Sequence, residues 1–242
     1  YAGQTFEQWF RRHEACRQDR YAGHVSFFHG CYINYNYPDL GKDLVHVMNA
    51  LGYGVHLLDR EKCCGVALIA NGMSDQARRQ ARINMESIRR SVKELDRPVI
   101  AASSTCTFTM RDEYPHVLGV DNADVRDRID LATRFIYKLV DSGAVRLCFR
   151  DDVSLRVAYH IPCHMERLGW GFYSISLLRM IPSLQLTVLP SQCCGIAGTY
   201  GFKKENYATS QGIGAPLFEA IEKAGVEYVV TDCETCKWQI EM

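Results

Sequence analysis

Short apolar runs alternate with stretches of helical period along the chain. Residues 25–28, 55–58 and 99–102 are continuous, short and rich in Val, Phe and Ile, the signature of buried strands. Between them, Leu40, Leu44, Val45, Met48 and Leu51 recur at helical spacing, and Gly52 and Gly54 end that helix. A tyrosine-rich loop over 32–37, closed by Pro38, precedes it. A longer stripe, Ala77, Ala81, Met85, Ile88, Val92 and Leu95, predicts a helix from Ser74, with Arg78, Arg79, Arg82, Arg89 and Arg90 on its solvated side. A helix over about 126–141 closes this part, followed by Gly143. The plan then restarts. Residues 155–160, 184–189 and 228–231 read as strands. Leu177, Leu178 and Ile181 mark a helix stopped by Pro182, and another spans about 206–224. Strands alternating with helices predict an α/β fold of two tandem, pseudo-symmetric repeats, each a small parallel sheet flanked by helices. The charged stretch 146–154 reads as the linker. The organisation expected is an N-terminal helical segment at 1–23, a first repeat at 24–150 and a second at 151–242.

Ahead of the first strand, Phe6, Trp9, Phe10 and His13 share one helical face. That face either packs on the domain or lies in a lipid interface with Arg11 and Arg12 toward anionic headgroups.

Cysteines repeat with the same plan. Cys163, the pair Cys193-Cys194 before Gly195, and Cys233-Glu234-Thr235-Cys236 form C-x29-C-C-G-x37-C-x2-C. Cys31, the pair Cys63-Cys64 before Gly65, and Ser103-Ser104-Thr105-Cys106 form the earlier copy. In both copies the last cysteine lies 42 positions after the second cysteine of the pair, and the pair starts 32 or 30 positions after the first cysteine. Ser103 therefore stands where the second copy has Cys233. Every one of these cysteines follows the carboxyl end of a predicted strand, where parallel sheets bind their ligands.

Composition narrows the chemistry. Eleven cysteines in 242 residues would suggest disulfides in a small secreted domain, but this chain has enough apolar residues for an ordinary core. Nine of the eleven fall in the repeats, which points to metal-bound thiolates, and Cys16 and Cys148 read as unligated. Lys+Arg and Asp+Glu are equal at 28 each, giving no basic field for nucleic acid. No run of about 18 apolar residues predicts a membrane span, and no signal peptide is read.

Adjacent cysteines rarely pair with each other but can ligate different ions of one centre. Thiolates suit iron–sulfur clusters and zinc and disfavour hard cations. Cys163, Cys193, Cys194, Cys233 and Cys236 exceed the four ligands of a zinc site and point to a cluster. Cys31, Cys63, Cys64 and Cys106 satisfy either a cubane cluster or zinc, and Ser103 is a poor ligand because of its high pKa. Gly65 and Gly195 would let backbone approach the cofactor without a Cβ. The glycine-rich run 195–201 lacks the ending of a phosphate loop and reads as backbone wrapped on the centre. Lys203, Lys204 and Lys237 either offset cluster charge or are surface lysines. His160 and His164 read as supporting or packing residues rather than ligands. No flavin or nicotinamide fingerprint is present, so hydride chemistry would belong to another subunit.

These motifs carry a resemblance, and it covers the whole chain. Phe27-Phe28-His29-Gly30-Cys31, Glu61-Lys62-Cys63-Cys64-Gly65, Ser103-Ser104-Thr105-Cys106-Thr107-Phe108, the run 192–207 and Thr231-Asp232-Cys233-Glu234-Thr235-Cys236-Lys237-Trp238 resemble the cysteine-rich CCG domain. That domain occurs in a subunit of heterodisulfide reductase and in iron–sulfur subunits of glycolate and lactate oxidases. The resemblance implies an iron–sulfur cluster at the second site, of the non-cubane 4Fe-4S kind, and an iron–sulfur cluster or zinc at the first. It implies electron relay from flavoprotein dehydrogenase subunits to menaquinone or another quinone, at the cytoplasmic face of the inner membrane and peripheral to it. Two other functions stay open: a disulfide or quinone reductase with the second site as active cluster, and structural zinc at both sites. The family's ferredoxin-like C-x2-C-x2-C-x3-C-P runs do not occur in these residues. The chain starts at Tyr1 and is expected to be a segment of a longer one.

Overall fold

The computed structural model describes residues 2–150 and 154–242, so part of the expected linker, 151–153, lies outside the described residues. The chain forms two compact units. One takes residues up to Val66 together with Ser74–Phe135; the other takes Ala67–Met73 and Ile136–Met242.

The first unit opens with α1 (Phe6–His13), started by a reciprocal cap in which the Gln8 amide N–H donates to Thr5 Oγ1 and the Thr5 amide N–H to Gln8 Oε1, both at 3.2 Å. A 3₁₀ turn (Ala15–Arg20) leads to β1 (Gly23–Phe28), α2 (Gly30–Tyr35), α3 (Pro38–Ala50) and β2 (Tyr53–Leu57). In chain order then come α4 (Val66–Ala70), which after Val66 belongs to the second unit, and α5 (Ser74–Arg89) and β3 (Val99–Ala101) of the first. The helix α6 (Ser104–Phe108) runs through a π turn into α7 (Tyr114–His116), and β4 (Ile129–Leu131) and α8 (Ala132–Asp141) follow, α8 passing from the first unit into the second at Ile136. The second unit contains β5 (Leu155–His160), α9 (Cys163–Leu168), α10 (Gly171–Arg179), β6 (Leu184–Val188), α11 (Tyr207–Ala224), β7 (Tyr228–Thr231) and α12 (Glu234–Glu241).

Both sheets are parallel throughout. The first is ordered β2-β1-β3-β4 and the second β6-β5-β7, and in each the strand that delivers the first cysteine is an interior one. Those interior strands are buried over their last four residues, as expected for parallel strands covered on both faces.

The aromatic face of α1 belongs to this core. Phe6 and Phe10 are buried, and the Phe6 ring meets Phe27 and His29 edge-on at 5.5 and 5.6 Å. Trp9 packs on His46 with the Lys42 ammonium over its ring. Those two phenylalanines face the protein, so they are not available to a lipid surface; His13 is exposed.

Three local expectations change. The stretch read as a tyrosine loop is α2, and Pro38 opens α3 at a position where its missing N–H costs nothing. Leu95 is 46% exposed because a π turn over Arg90–Glu94 shifts it off the buried stripe. The helix expected from about 126 starts only at Ala132. Ile129–Leu131 pair with β3 instead, and Asp130 takes the Leu131 N–H and the Arg134 guanidinium.

Candidate metal centre

In both units the cysteine loops leave the carboxyl ends of the strands. Cys31 follows β1, the pair Cys63-Cys64 lies beyond β2, and Cys106 follows β3. Cys163, the pair Cys193-Cys194, and Cys233 with Cys236 stand in the same relation to β5, β6 and β7. Cys31, Cys106, Cys163 and Cys236 each lie in the first turn of a short helix, where unpaired amides favour a thiolate.

The first unit brings its four sulfurs together. Cys31 and Cys63 Sγ are 3.6 Å apart, and Cys64 hydrogen-bonds with Cys106 and Cys63. Hydrogen bonds from Cys31 and then Cys64 hold the Cys63 thiol down at about 3, against the opposing effect of burial. Cys64 is buried and raised well above the ordinary thiol value, chiefly by its bond to Cys106. Cys31 and Cys63 open on a cavity of about 440 Å³, also lined by His29, Asn34 and Glu61.

The second unit gathers five. Cys194 and Cys236 Sγ are 3.2 Å apart, and the Gly195 amide donates to Cys193 Sγ at 3.3 Å. Cys194 is held at about 3 by its hydrogen bonds with Cys193 and Cys236. Cys236 is raised by its bonds to Cys194 and Cys233, and the Cys163 thiol by burial and then by Cys233 and Cys194. Cys163 and Cys193 are exposed; Cys194, Cys233 and Cys236 are buried. Cys16 and Cys148 are exposed and lie outside these loops.

The helix after β3 or β7 is capped at one place by two different residues. Ser103 and Cys233 are both extended N-caps, with φ −104° and −141°. Ser103 Oγ accepts the Cys106 amide at 3.2 Å, whereas Cys233 makes no side-chain cap and leaves its sulfur 3.2 Å from Thr235 Oγ1.

Several residues that hold these loops were not legible as such. Asn84, wholly buried on the apolar stripe of α5, accepts the Lys62 N–H at 2.8 Å and donates to the Lys62 and Cys63 carbonyls. The Glu61 carboxylate takes the backbone N–H groups of His29 and Gly30 at 3.1 and 2.7 Å, tying the two cysteine loops together. Burial raises Glu61 to about 8. In the second unit Asp232 is fixed by the Tyr159 hydroxyl and by Ser174 at 3.1 Å. Ser210 bonds the Gly195 carbonyl at 2.9 Å. A polar residue interrupting an apolar stripe, as Asn84 does, is the signal that could have found it.

Gly65 and Gly195 both have positive φ, +98° and +87°. A Cβ on Gly195 would come within 2.0 Å of the Ser210 carbonyl oxygen, so here the glycine admits the α11 backbone. Lys237 pairs with Glu241, and Lys203 and Lys204 are exposed.

The donor set fits a sulfur-ligated centre. Nine thiols sit on two loop clusters. Among the described residues, no group of three or more Cys, His, Asp or Glu side chains is arranged to hold a single metal ion; the sulfurs meet in chains of contacts. Among those residues, no helix is long and apolar enough to cross a membrane.

Comparison with known proteins agrees with this arrangement. The cysteine-rich CCG domain matches residues 25–111 and 157–241, one match in each unit. The chain is 61% identical, over all 242 residues, to a subunit of the anaerobic glycerol-3-phosphate dehydrogenase of Escherichia coli strain K12, and spans 60% of that protein's length. It is 30% identical over 220 residues to a subunit of the CoM/CoB fumarate reductase of Methanothermobacter marburgensis, covering 90% of this chain and 41% of that one. It is 28% identical over 218 residues to an iron–sulfur protein of Methanocaldococcus jannaschii, covering 89% and 40%. With a matched domain in each unit and the paired cysteines at matched strand ends, the chain belongs to the cysteine-rich CCG domain family.

Proposed function

We propose that this chain is the cluster-binding part of an iron–sulfur subunit that relays electrons from a flavoprotein glycerol-3-phosphate dehydrogenase to a membrane quinone. The observation that carries the reading is the convergence of five sulfurs at the strand ends of the second unit, with four and a serine in the first. In this reading Cys163, Cys193, Cys194, Cys233 and Cys236 hold a non-cubane 4Fe-4S cluster. Cys31, Cys63, Cys64 and Cys106 hold a second iron–sulfur cluster or zinc. An iron–sulfur cluster supplies one-electron transfer when bound. The chain's own part is to hold the sulfurs and offset their charge with helix amides. It also buries the inner sulfurs, Cys64, Cys194, Cys233 and Cys236, away from water. The 61% identity to a dehydrogenase subunit supports the flavoprotein partner. Menaquinone or another quinone as acceptor, and a peripheral place on the cytoplasmic face of the inner membrane, belong to the same proposal.

The test is stopped-flow reduction of the full-length subunit by substrate-reduced flavoprotein. Bleaching of cluster absorbance that reverses on adding a quinone analogue is expected. Oxidation of glycerol 3-phosphate, or reduction of a disulfide, by the subunit with no partner would overturn the relay and make the chain an enzyme.

A further inference from the structure

The strands that deliver the first cysteines end at matched places that differ in chemistry. Phe28 lies three residues before Cys31 and pairs in register with Ala101; His160 lies three before Cys163 and pairs with Thr231. Ala101 and Thr231 each lie two residues before the helix cap, Ser103 or Cys233. Register partners on neighbouring strands point to one face of the sheet. The first unit therefore puts an apolar pair there and the second a polar pair.

Neither member of the polar pair has a hydrogen-bond partner among the described residues. His160 is 1% exposed, and neither Nδ1 nor Nε2 makes a hydrogen bond; the buried Thr231 hydroxyl makes none either. A buried donor left unmade costs about 1–3 kcal/mol, and such groups are few in native proteins. Two of them side by side call for a common partner.

The first unit shows how a buried histidine is otherwise satisfied. His29 Nδ1 lies 3.0 Å from the Gly30 carbonyl oxygen and 3.2 Å from Glu61. The residue at the offset of Glu61 in the second unit, two before the paired cysteines, is Ser191, which is exposed. No carboxylate stands in for it at that offset. The Cys194 sulfur and the Glu166 carboxylate lie within electrostatic reach of the His160 ring, and an imidazole has at least one N–H to donate in either protonation state.

We propose that His160, with Thr231 beside it, donates hydrogen bonds to the sulfur-bound group of the second site, and that this pair sets the potential of that site apart from the first. The inference rests on the reading that the second site holds an iron–sulfur cluster. Hydrogen bonds to cluster sulfurs stabilise the added electron and raise the reduction potential. His160 is thus a tuning residue and not a ligand.

The experiment is an EPR-monitored redox titration of the anaerobically purified full-length protein. The second-site signal is identified as the one lost in Cys193→Ser. His160→Phe, which copies Phe28, is expected to lower that signal's potential so that the reduced-to-oxidised ratio falls about tenfold, about 59 mV for one electron. Thr231→Val should lower it less, His160→Gln should recover most of the shift because it keeps an N–H donor, and first-site signals should not move. If His160→Phe loses iron, Thr231→Val still decides. An unmoved potential in Thr231→Val, and in His160→Phe where it keeps its iron, would overturn the inference and leave a buried water as the ring's partner. Wild-type protein without iron would instead overturn the reading on which it rests.

Discussion

Ser103 and Cys233 hold one position in two copies of the same plan: the extended residue that caps the helix carrying the last cysteine. One commits its side chain to the helix, the other keeps a sulfur for the site. Ser103→Cys should therefore weaken the α6 cap, at a cost of about 1 kcal/mol in the absence of metal, while offering a fifth sulfur to the first site. The expected outcome is an altered spectrum of the first site alone, read by EPR and iron analysis. Identical reduced-state spectra of the two sites in the unaltered protein would contradict the distinction.

Removing a sulfur should empty its own site. Cys193→Ser or Cys236→Ser is expected to lose one cluster's iron and sulfide and to lower the unfolding midpoint of the second unit, since metal binding and folding are coupled. Retention of full iron and an unchanged EPR signal would exclude these residues as ligands.

Asn84→Ala should destabilise the first unit by about 2–3 kcal/mol. The change leaves the part-buried Lys62 N–H without its acceptor and removes the donor to the buried Tyr114 hydroxyl. Urea unfolding measures it, and a change below about 0.5 kcal/mol would mean that water replaces the amide.

Phe6→Ala should cost about 3–5 kcal/mol because the ring is fully buried against Phe27 and His29. Unchanged stability, with loss of binding to anionic vesicles instead, would return α1 to the lipid interface.

His56 introduces a pH dependence. Burial, then the charges of Arg97 and His24, lower it to about 4. The folded chain therefore binds fewer protons at this site than the unfolded chain between about pH 6.5 and 4, and stability is lost as pH falls through that window. With the ring still partly open to solvent, the loss should be about 1–2 kcal/mol. Urea unfolding at pH 7.5, 5.5 and 4.0 should show this slope for the wild type and a flatter one for His56→Gln.

The repeat was legible because the chemistry is local: a strand pattern, a cysteine after it, and the same offsets twice. Val25, Phe27 and Phe28 announced a buried strand, and Cys31 marked its carboxyl end. What escaped was set by tertiary contact. Ile129-Asp130-Leu131 has no helical or strand period of its own in so short a stretch and becomes a strand only because β3 is there to pair with it. Asn84 and Glu61 are single polar residues whose partners lie about 20 to 30 positions away, as with Lys62 and Gly30. Leu95 fits the α5 stripe until a π turn, which the pattern does not register, moves it outward.

The first-turn placement of Cys31, Cys106, Cys163 and Cys236 has a consequence for ionic strength. Any charge on these sulfurs would face the positive amino end of its own helix, while Lys237 is already paired with Glu241. Mobile ions at about 0.15 M screen charges over roughly 8 Å and cannot enter between an amide and the sulfur it faces. If the proposed clusters are bound here, their redox poise should therefore respond weakly to salt, and salt sensitivity in electron delivery would report the encounter with a partner rather than the centre itself.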